Sequence, residues 1–425
     1  MIAFISLFLG LTLGTRPVEL VVGDGVAAVE LLLDGQTLGV LHEPPWVLEC
    51  DFGDELKPAH LEAVAFSARE QEIARIGQWL NLPQPGVVIS AALEARKPGQ
   101  PRVVRLSWES VAGAEPKSVN ATVDGQPLAV EDPRQITLPL VDESQLHLLH
   151  VEMRFEDRVT SRLDFTFGGV YIDQVSTEMT AIPIRATQAS ARAPTLTEAQ
   201  GWFRKNGKPL GVLAIERGPA EVVVVMGRPF PHLIDPGKRL KLPKSLTLPK
   251  GFGMRFLSPI PTHTQGVESA FELFPISPVY DRQVADLYSL LTGISRSKQD
   301  REPQPGSAIG VAGLAAFESR RRRAIVLIAS SRPASEDDLP KALALRYLEH
   351  LRVPFFVWDP ESKPAPSLEA WGRVRSVSSF KSLAAAFADL RAAVDQQWIV
   401  WLDGQHLPQD ITLEPAAKGF TLSSR

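Results

Sequence analysis

Residues 219–230 read Pro-Ala-Glu-Val-Val-Val-Val-Met-Gly-Arg-Pro-Phe. The stretch Glu221 to Met226 reads as a strand buried on both faces of a parallel sheet. Ala324 to Ala329 and Val353 to Trp358 repeat that pattern. Between these strands lie helical segments. Val311 to Glu318 precedes the second strand. Ser335-Glu336-Asp337-Asp338 resembles a capping box opening a helix through Leu351, and Phe380, Leu383, Phe387, Leu390 and Val394 recur at helical spacing. Met254 to Leu257 and Phe271 to Ile276 are further strand candidates, and Tyr280, Val284, Leu287, Tyr288 and Leu291 mark a helix ended by Gly293. Strand and helix in alternation predict a doubly wound, mostly parallel α/β domain with helices on both faces. Trp398 to Leu402, Ile411 to Leu413 and Phe420 to Leu422 read as added antiparallel strands.

Upstream the pattern changes to short alternating runs. Val29 to Leu33 leads into Asp34-Gly35, a dipeptide suited to the positive φ of a tight hairpin, and Leu38 to Leu41 returns. Ala121-Thr122-Val123, Asp124-Gly125 and Pro127 to Val130 repeat the arrangement, and the segments starting at His60 and His147 follow at similar distances. Two Ig-like β-sandwiches, 15–85 and 86–167, are expected, each of roughly 70–85 residues, within the size range of such modules. His147 and His150 stand three apart, a helical metal-ligand spacing; the run alternates as a strand, which sends the two rings to opposite faces.

Composition bounds the class of protein. A chain of 425 residues has room for several domains, and a net charge of −4 carries no global signal for a polyanionic partner. The single cysteine, Cys50, excludes an internal disulfide and alternates with Leu48 and Phe52 as a buried small hydrophobe. Met1 to Gly14 is apolar but shorter than the ~20 residues a membrane helix needs, so no integral span is expected beyond a possible signal segment. Thr12 and Gly14 place small residues before a possible cut at Thr15, although no Lys or Arg precedes Arg16. The expected location is therefore extracytoplasmic, periplasmic or secreted.

Residues 168–218 join the two halves. Thr197 is a candidate N-cap of a short helical turn and Asn206-Gly207 makes a hairpin. The segment Leu196-Thr197-Glu198-Ala199-Gln200-Gly201-Trp202-Phe203-Arg204-Lys205-Asn206-Gly207-Lys208-Pro209-Leu210 resembles the β prelude of bacterial VWFA-related proteins. With the strand rhythm that follows, the chain from 219 to 425 resembles a von Willebrand factor A (VWA) domain. It departs from the family where Gln200-Gly201-Trp202 replaces an acidic-aromatic pair and Asn206 replaces aspartate.

The resemblance implies a site at the carboxyl ends of the strands, where a VWA domain holds a divalent metal on three loops. The first loop of the family carries Asp-x-Ser-x-Ser; here Met226, Gly227, Arg228, Pro229 and Phe230 stand there. Ser307 is the counterpart in the second loop, and Ser330 and Ser331 follow the third strand. No matched position keeps a carboxylate, so no metal and no cofactor are expected. Arg228, His232, Ser307, Ser330, Ser331 and Arg332 would form a cationic, hydroxyl-rich cup able to take a partner's carboxylate directly, or else stand as solvated loop positions.

Other chemistry is thinly represented. Arg320 to Arg323 lacks a wider basic stripe and reads as an exposed helix C-terminus, so no nucleic-acid partner is expected. The sequence holds no Gly-rich phosphate loop after a strand and no Gly-x-Ser-x-Gly elbow. The expectation is an exported protein-binding or scaffolding protein with a protein partner. A hydrolase-like enzyme using Ser330 with His232 or His350 is the alternative, and a cation-dependent adhesin would need carboxylates near Ser307.

Overall fold

The structure, a computed structural model, describes residues 1–83, 87–94, 100–110, 115–155, 160–169, 171–176, 179–188, 192–226, 246–262, 270–281, 301–328, 334–361 and 366–423. The chain is multidomain and mostly β, with several antiparallel sheets and one five-stranded parallel sheet.

The first module contains β1 (Ile2–Phe4), β2 (Thr15–Val22), β3 (Ala28–Leu33), β4 (Gln36–Leu41), β5 (Val47–Asp51), β6 (Ala59–Phe66) and β7 (Glu72–Leu80). A three-stranded sheet, β1-β2-β5, faces a four-stranded one, β4-β3-β6-β7. Val18, Leu20 and Cys50 from one sheet meet Val29, Leu31, Leu61 and Ala63 from the other in one core. Cys50 is buried as expected, and burial, with Glu49 beside it, pushes its thiol up to about 11.

The apolar start of the chain, expected as a signal segment, is built into this fold. β1 pairs with β2 and Ile2 enters the sandwich core. Leu11 and Leu13, farther along, pack against the core of the α/β unit instead.

The second module contains β8 (Val87–Leu93), β9 (Val103–Ser110), β10 (Ser118–Val123), β11 (Gln126–Leu128), β12 (Gln135–Thr137), β13 (Leu146–Arg154), β14 (Thr160–Gly168) and β15 (Tyr171–Ser176). Its sheets, β12-β9-β8 and β11-β10-β13-β14-β15, reproduce the first module's order with one added strand. Both hairpins form as expected: Asp34-Gly35 and Asp124-Gly125 all have positive φ. In each copy the aspartate's Oδ1 also accepts an amide from the next long strand, His60 N at 2.8 Å and Leu148 N at 2.9 Å. The repeat therefore aligns His60 with Leu148, one residue away from His147.

β16 (Met179–Ala186), β17 (Phe203–Lys205), β18 (Lys208–Pro209) and β19 (Val212–Glu216) follow. The short helix Leu196–Ala199 is capped by Thr195, two residues before the expected Thr197, in a box with Glu198. The Asn206-Gly207 hairpin joins β17 to β18. The C-terminal strands β25 (Gln397–Asp403), β26 (Ile411–Leu413) and β27 (Phe420–Leu422) pair here: β25 lies between β16 and β19, β26 on β17 and β27 on β16. Ile182, Phe203, Val400 and Ile411 share one core, so the segment before the α/β unit and the segment after it close into a single β unit.

The α/β unit is inserted between them. Its sheet comprises β20 (Ala220–Met226), β21 (Phe252–Leu257), β22 (Arg322–Ile328), β23 (Phe355–Asp359) and β24 (Val374–Ser376), all parallel, in the order β21-β20-β22-β23-β24. Val222 and Val224 face the helix Phe380–Asp395, while Val223 and Val225 face Pro305–Glu318 and Lys341–His350. A strand buried on both faces explains the unbroken valine run. Residues 271–273, expected in a strand, fall in the short helix Ala270–Leu273; Ile276 and Tyr280 make single antiparallel bridges to Leu257 and Met254. The helix expected from Tyr280 to Leu291 lies mostly outside the described residues. Gly310 faces Leu11 so closely that an added Cβ would lie 2.4 Å from its Cδ1, which fixes the first module against this helix.

Candidate functional site

At the carboxyl ends of the parallel strands, only part of the expected cup falls among the described residues. Arg228, His232, Ser330, Ser331 and Arg332 lie outside them. Ser307 stands in the first turn of the helix Pro305–Glu318, whose N-cap Gln304 makes no side-chain cap bond. Asp338 supplies that cap from another segment. Its Oδ2 accepts the Gly306 amide at 2.9 Å, and its Oδ1 accepts the Ser307 amide at 2.8 Å and the Ser307 hydroxyl at 3.0 Å. Ser307 Oγ in turn accepts the Leu339 amide at 3.2 Å.

This arrangement corrects the reading of Ser335 to Asp338 as the opening of its own helix. The helix starts at Lys341, after Pro340, without a side-chain cap. Asp338 reaches across to the orphan amides of the longer helix, where the positive end of the dipole favours a carboxylate. Ser307 is thus engaged by this chain's own carboxylate. Among the described residues, no group of three or more His, Cys, Asp and Glu side chains is arranged to hold a metal. His350, a candidate base, contacts Glu55 of the first module at 3.1 Å through Nε2 and serves that interface.

The run Arg320 to Arg323 is not an exposed helix end. Arg320 pairs with Asp164 at 2.8 Å and Arg321 with Glu152 at 2.8 Å. Arg322 donates to the Gly218 carbonyl and to Asp395. Arg323 is 0 % exposed and directed at the Leu351 carbonyl and the Phe317 ring. Burial brings the Arg323 guanidinium down to about 9.

These pairs belong to a larger network where the second module, the β unit and the amino ends of β20 and β22 meet. Glu221, wholly buried, has Arg321, Arg255 and Arg162 around it at 3.5, 3.6 and 3.9 Å. Glu152 also receives Arg162 and Arg154. His150 bridges Asp164 at 2.7 Å and Glu216 at 3.1 Å, and the Trp401 indole N–H donates to Glu216 at 3.0 Å. Burial opposes the imidazolium, but the bonds to Asp164 and Glu216 hold it up at about 10. Burial likewise opposes the Asp164 carboxylate, which the His150 bond and Arg320 hold down to about 2. His147 points the other way, into the sandwich core, with Asp124 on Nδ1 at 2.7 Å, so the two histidines occupy opposite faces as expected.

Beside this network opens a cleft of about 200 Å³, lined by all four units of the chain. Trp79 comes from the first module, Arg162 from the second, Met179 to Ala181 and His406 from the β unit, and Phe317, Glu318 and Arg320 from the α/β unit. Burial raises the pKa of Glu318 against the pull of Arg162 and Arg255. The hydroxyls in the cleft are engaged by backbone: Ser161 donates to Val87 O at 2.6 Å and Thr180 to Gly404 O at 2.8 Å. The cleft sits at the amino ends of β20 and β22, the opposite edge from the one the resemblance implies.

Sequence reasoning did not single out Asp338 as a partner of Ser307, nor Glu318 or His406. The signal in sequence for Asp338 was its place in an acidic cluster after a strand, which also suits a local cap. Glu318 and His406 carry no local signal, because their setting is assembled from segments far apart in the chain.

No family model and no curated protein matches the chain. Among solved structures, the fibronectin(III)-like modules of Clostridium thermocellum CbhA are similar at 14 % identity, over 40 % of this chain and 93 % of that one, with a TM-score of 0.17. The central fibronectin-III array of RIM-binding protein is similar at 10 % identity, over 46 % of this chain and 80 % of that one, with a TM-score of 0.20. Parabacteroides merdae β-glucuronidase is similar at 13 % identity over 39 % of this chain, with a TM-score of 0.18, and this chain covers 24 % of its length. Likenesses of this size carry no argument about what the chain does. No helix among the described residues is long and apolar enough to cross a membrane.

Proposed function

We propose that this chain is a protein-binding or scaffolding protein. Two Ig-like modules and a β unit hold a VWA-like α/β unit rigidly, and the carboxyl ends of its strands are the recognition face. The VWA-like reading is supported by the strand order, with β20 and β22 central and β21 flanked by antiparallel bridges.

The observation that carries the proposal is the interface network. Arg320, Arg321, Glu221, Glu152, Asp164 and His150 tie the α/β unit to the second module by partly buried ion pairs. The first module is fastened as well: Tyr347 donates to the Asn81 carbonyl at 2.7 Å and Arg346 pairs with Glu55 at 3.3 Å. Units held rigidly against one another suit a platform for a partner better than hinged domains closing on a substrate. The reading takes no metal at that edge: the carboxylate at Ser307, Asp338, is committed to the Gly306 and Ser307 amides.

The test is site-specific photocrosslinking in cells, with the crosslinker at position 336 near the strand ends and, as control, at position 250 on the opposite edge. The proposal expects a discrete protein adduct from position 336 and none from position 250. Adducts of equal yield from both positions, or turnover of ester or peptide substrates that requires Ser330, would overturn it.

A further inference from the structure

We propose that the cleft between Trp79, Arg162, Phe317, Glu318, Arg320 and His406 is a binding site for a small zwitterion, an α-amino acid, with its ammonium at Glu318 and its carboxylate at the guanidinium groups. The volume, about 200 Å³, suits a ligand of a few heavy atoms rather than a peptide. A cleft assembled where four units meet is a common setting for small-molecule sites.

The polar groups define the chemistry. Glu318 accepts no hydrogen bond and makes no ion pair within 4 Å among the described residues, although Arg162, Arg255, Arg320 and Glu221 surround it at longer range. Burial raises its pKa against the pull of Arg162, Arg255 and Arg320. His406 lines the same cleft, and its Nε2 lies 2.7 Å from the Asp403 carbonyl, which can only accept, so Nε2 carries a proton.

The opposite sign stands in the same cleft. Arg320 uses Nη1 on Asp164 and Arg162 uses Nε on Glu152, and a guanidinium has five N–H donors in a planar fork. A carboxylate is the group such a fork receives best. Trp79, stacked on His60, and Phe317, facing Arg323, add apolar wall for a ligand's side chain. A simple amine would leave the guanidinium donors unmet, and a simple carboxylate would leave Glu318 unmet.

The experiment is calorimetry on the full chain with each of the twenty amino acids, with propylamine and propionate as half-ligands and glucose as a neutral polyol. At least one amino acid is expected to bind, with propylamine and propionate at least tenfold weaker. Glu318→Gln should weaken that amino acid at least tenfold without lowering the thermal midpoint of the free chain. Absence of binding by all twenty, binding unaffected by Glu318→Gln, or a half-ligand or glucose binding as tightly would overturn the proposal.

Discussion

The Asp338 carboxylate lies 2.8 Å from the amide nitrogen and 3.0 Å from the hydroxyl of Ser307, thirty-one residues earlier in the chain. With Gly306, these two residues close the start of the helix Pro305–Glu318, on the side of the sheet that faces the first module. An added Cβ at Gly306 would lie 1.9 Å from the Leu339 carbonyl oxygen, so the Asp338 segment sits directly on the helix end. Removing this cap with Asp338→Ala should cost about 1–2 kcal/mol, the range seen for lost helix caps. Asp338→Asn, which keeps an acceptor oxygen, should cost less. Urea midpoints of the two variants check both statements.

The junction network makes opposite predictions for two neighbouring charges. Glu221 is enclosed by three guanidinium groups, and Glu221→Ala would leave them without their shared counter-charge, at about 3–5 kcal/mol. Arg323, its register partner on the adjacent strand β22, makes no ion pair among the described residues, and its Nε is buried without an acceptor. Arg323→Met should therefore be neutral within about 1 kcal/mol or stabilising. Equal destabilisation by both substitutions in equilibrium unfolding would contradict this description of the junction.

The same junction sets a pH window. His150 is held up at about 10 in the folded chain against an ordinary 6.5, so its contribution is complete below 6.5 and is lost as pH rises through 10. Asp164 is held down to about 2 against 3.8, so its contribution is complete above 3.8 and is lost as pH falls through 2. Thermal midpoints should decline on the alkaline side between 6.5 and 10, and His150→Gln should flatten that limb. An unchanged alkaline limb in the variant would remove His150 from the account.

The apolar start of the chain yields its own prediction. Deleting residues 1–14 removes β1 and the Leu11 contact with Gly310, exposing the edge of β2 and the helix Pro305–Glu318 together. The truncated chain should unfold at markedly lower temperature and bind a hydrophobic dye. A midpoint equal to that of the full chain would show that the segment makes no structural contribution.

Features set by local chemistry were legible in the sequence. Asp34-Gly35, Asp124-Gly125 and Asn206-Gly207 form hairpins because two successive positive-φ residues admit few alternatives. The strands β20, β22 and β23 were legible because burial on both faces leaves unbroken apolar runs, Val222 to Met226, Ala324 to Ile328 and Phe355 to Trp358. Partners distant in sequence were not. Arg320 meets Asp164 across 156 residues and Arg321 meets Glu152 across 169, so the run looked like a solvated helix end. Asp338 was equally ambiguous, since an acid before a helix caps that helix or another with the same chemistry. The C-terminal strands read as strands, while the β unit they complete required knowing that β16 and β19 flank β25.

The central claim is that the α/β unit recognises its partner without a bound metal, its Ser307 being held by Asp338. Calorimetry of the full chain with Mg²⁺, Mn²⁺ and Ca²⁺ in turn tests this most directly. The account predicts no binding heat and no shift of the thermal midpoint with any of the three ions. Micromolar binding that is abolished by Ser307→Ala would contradict it and restore a cation-dependent adhesion mechanism.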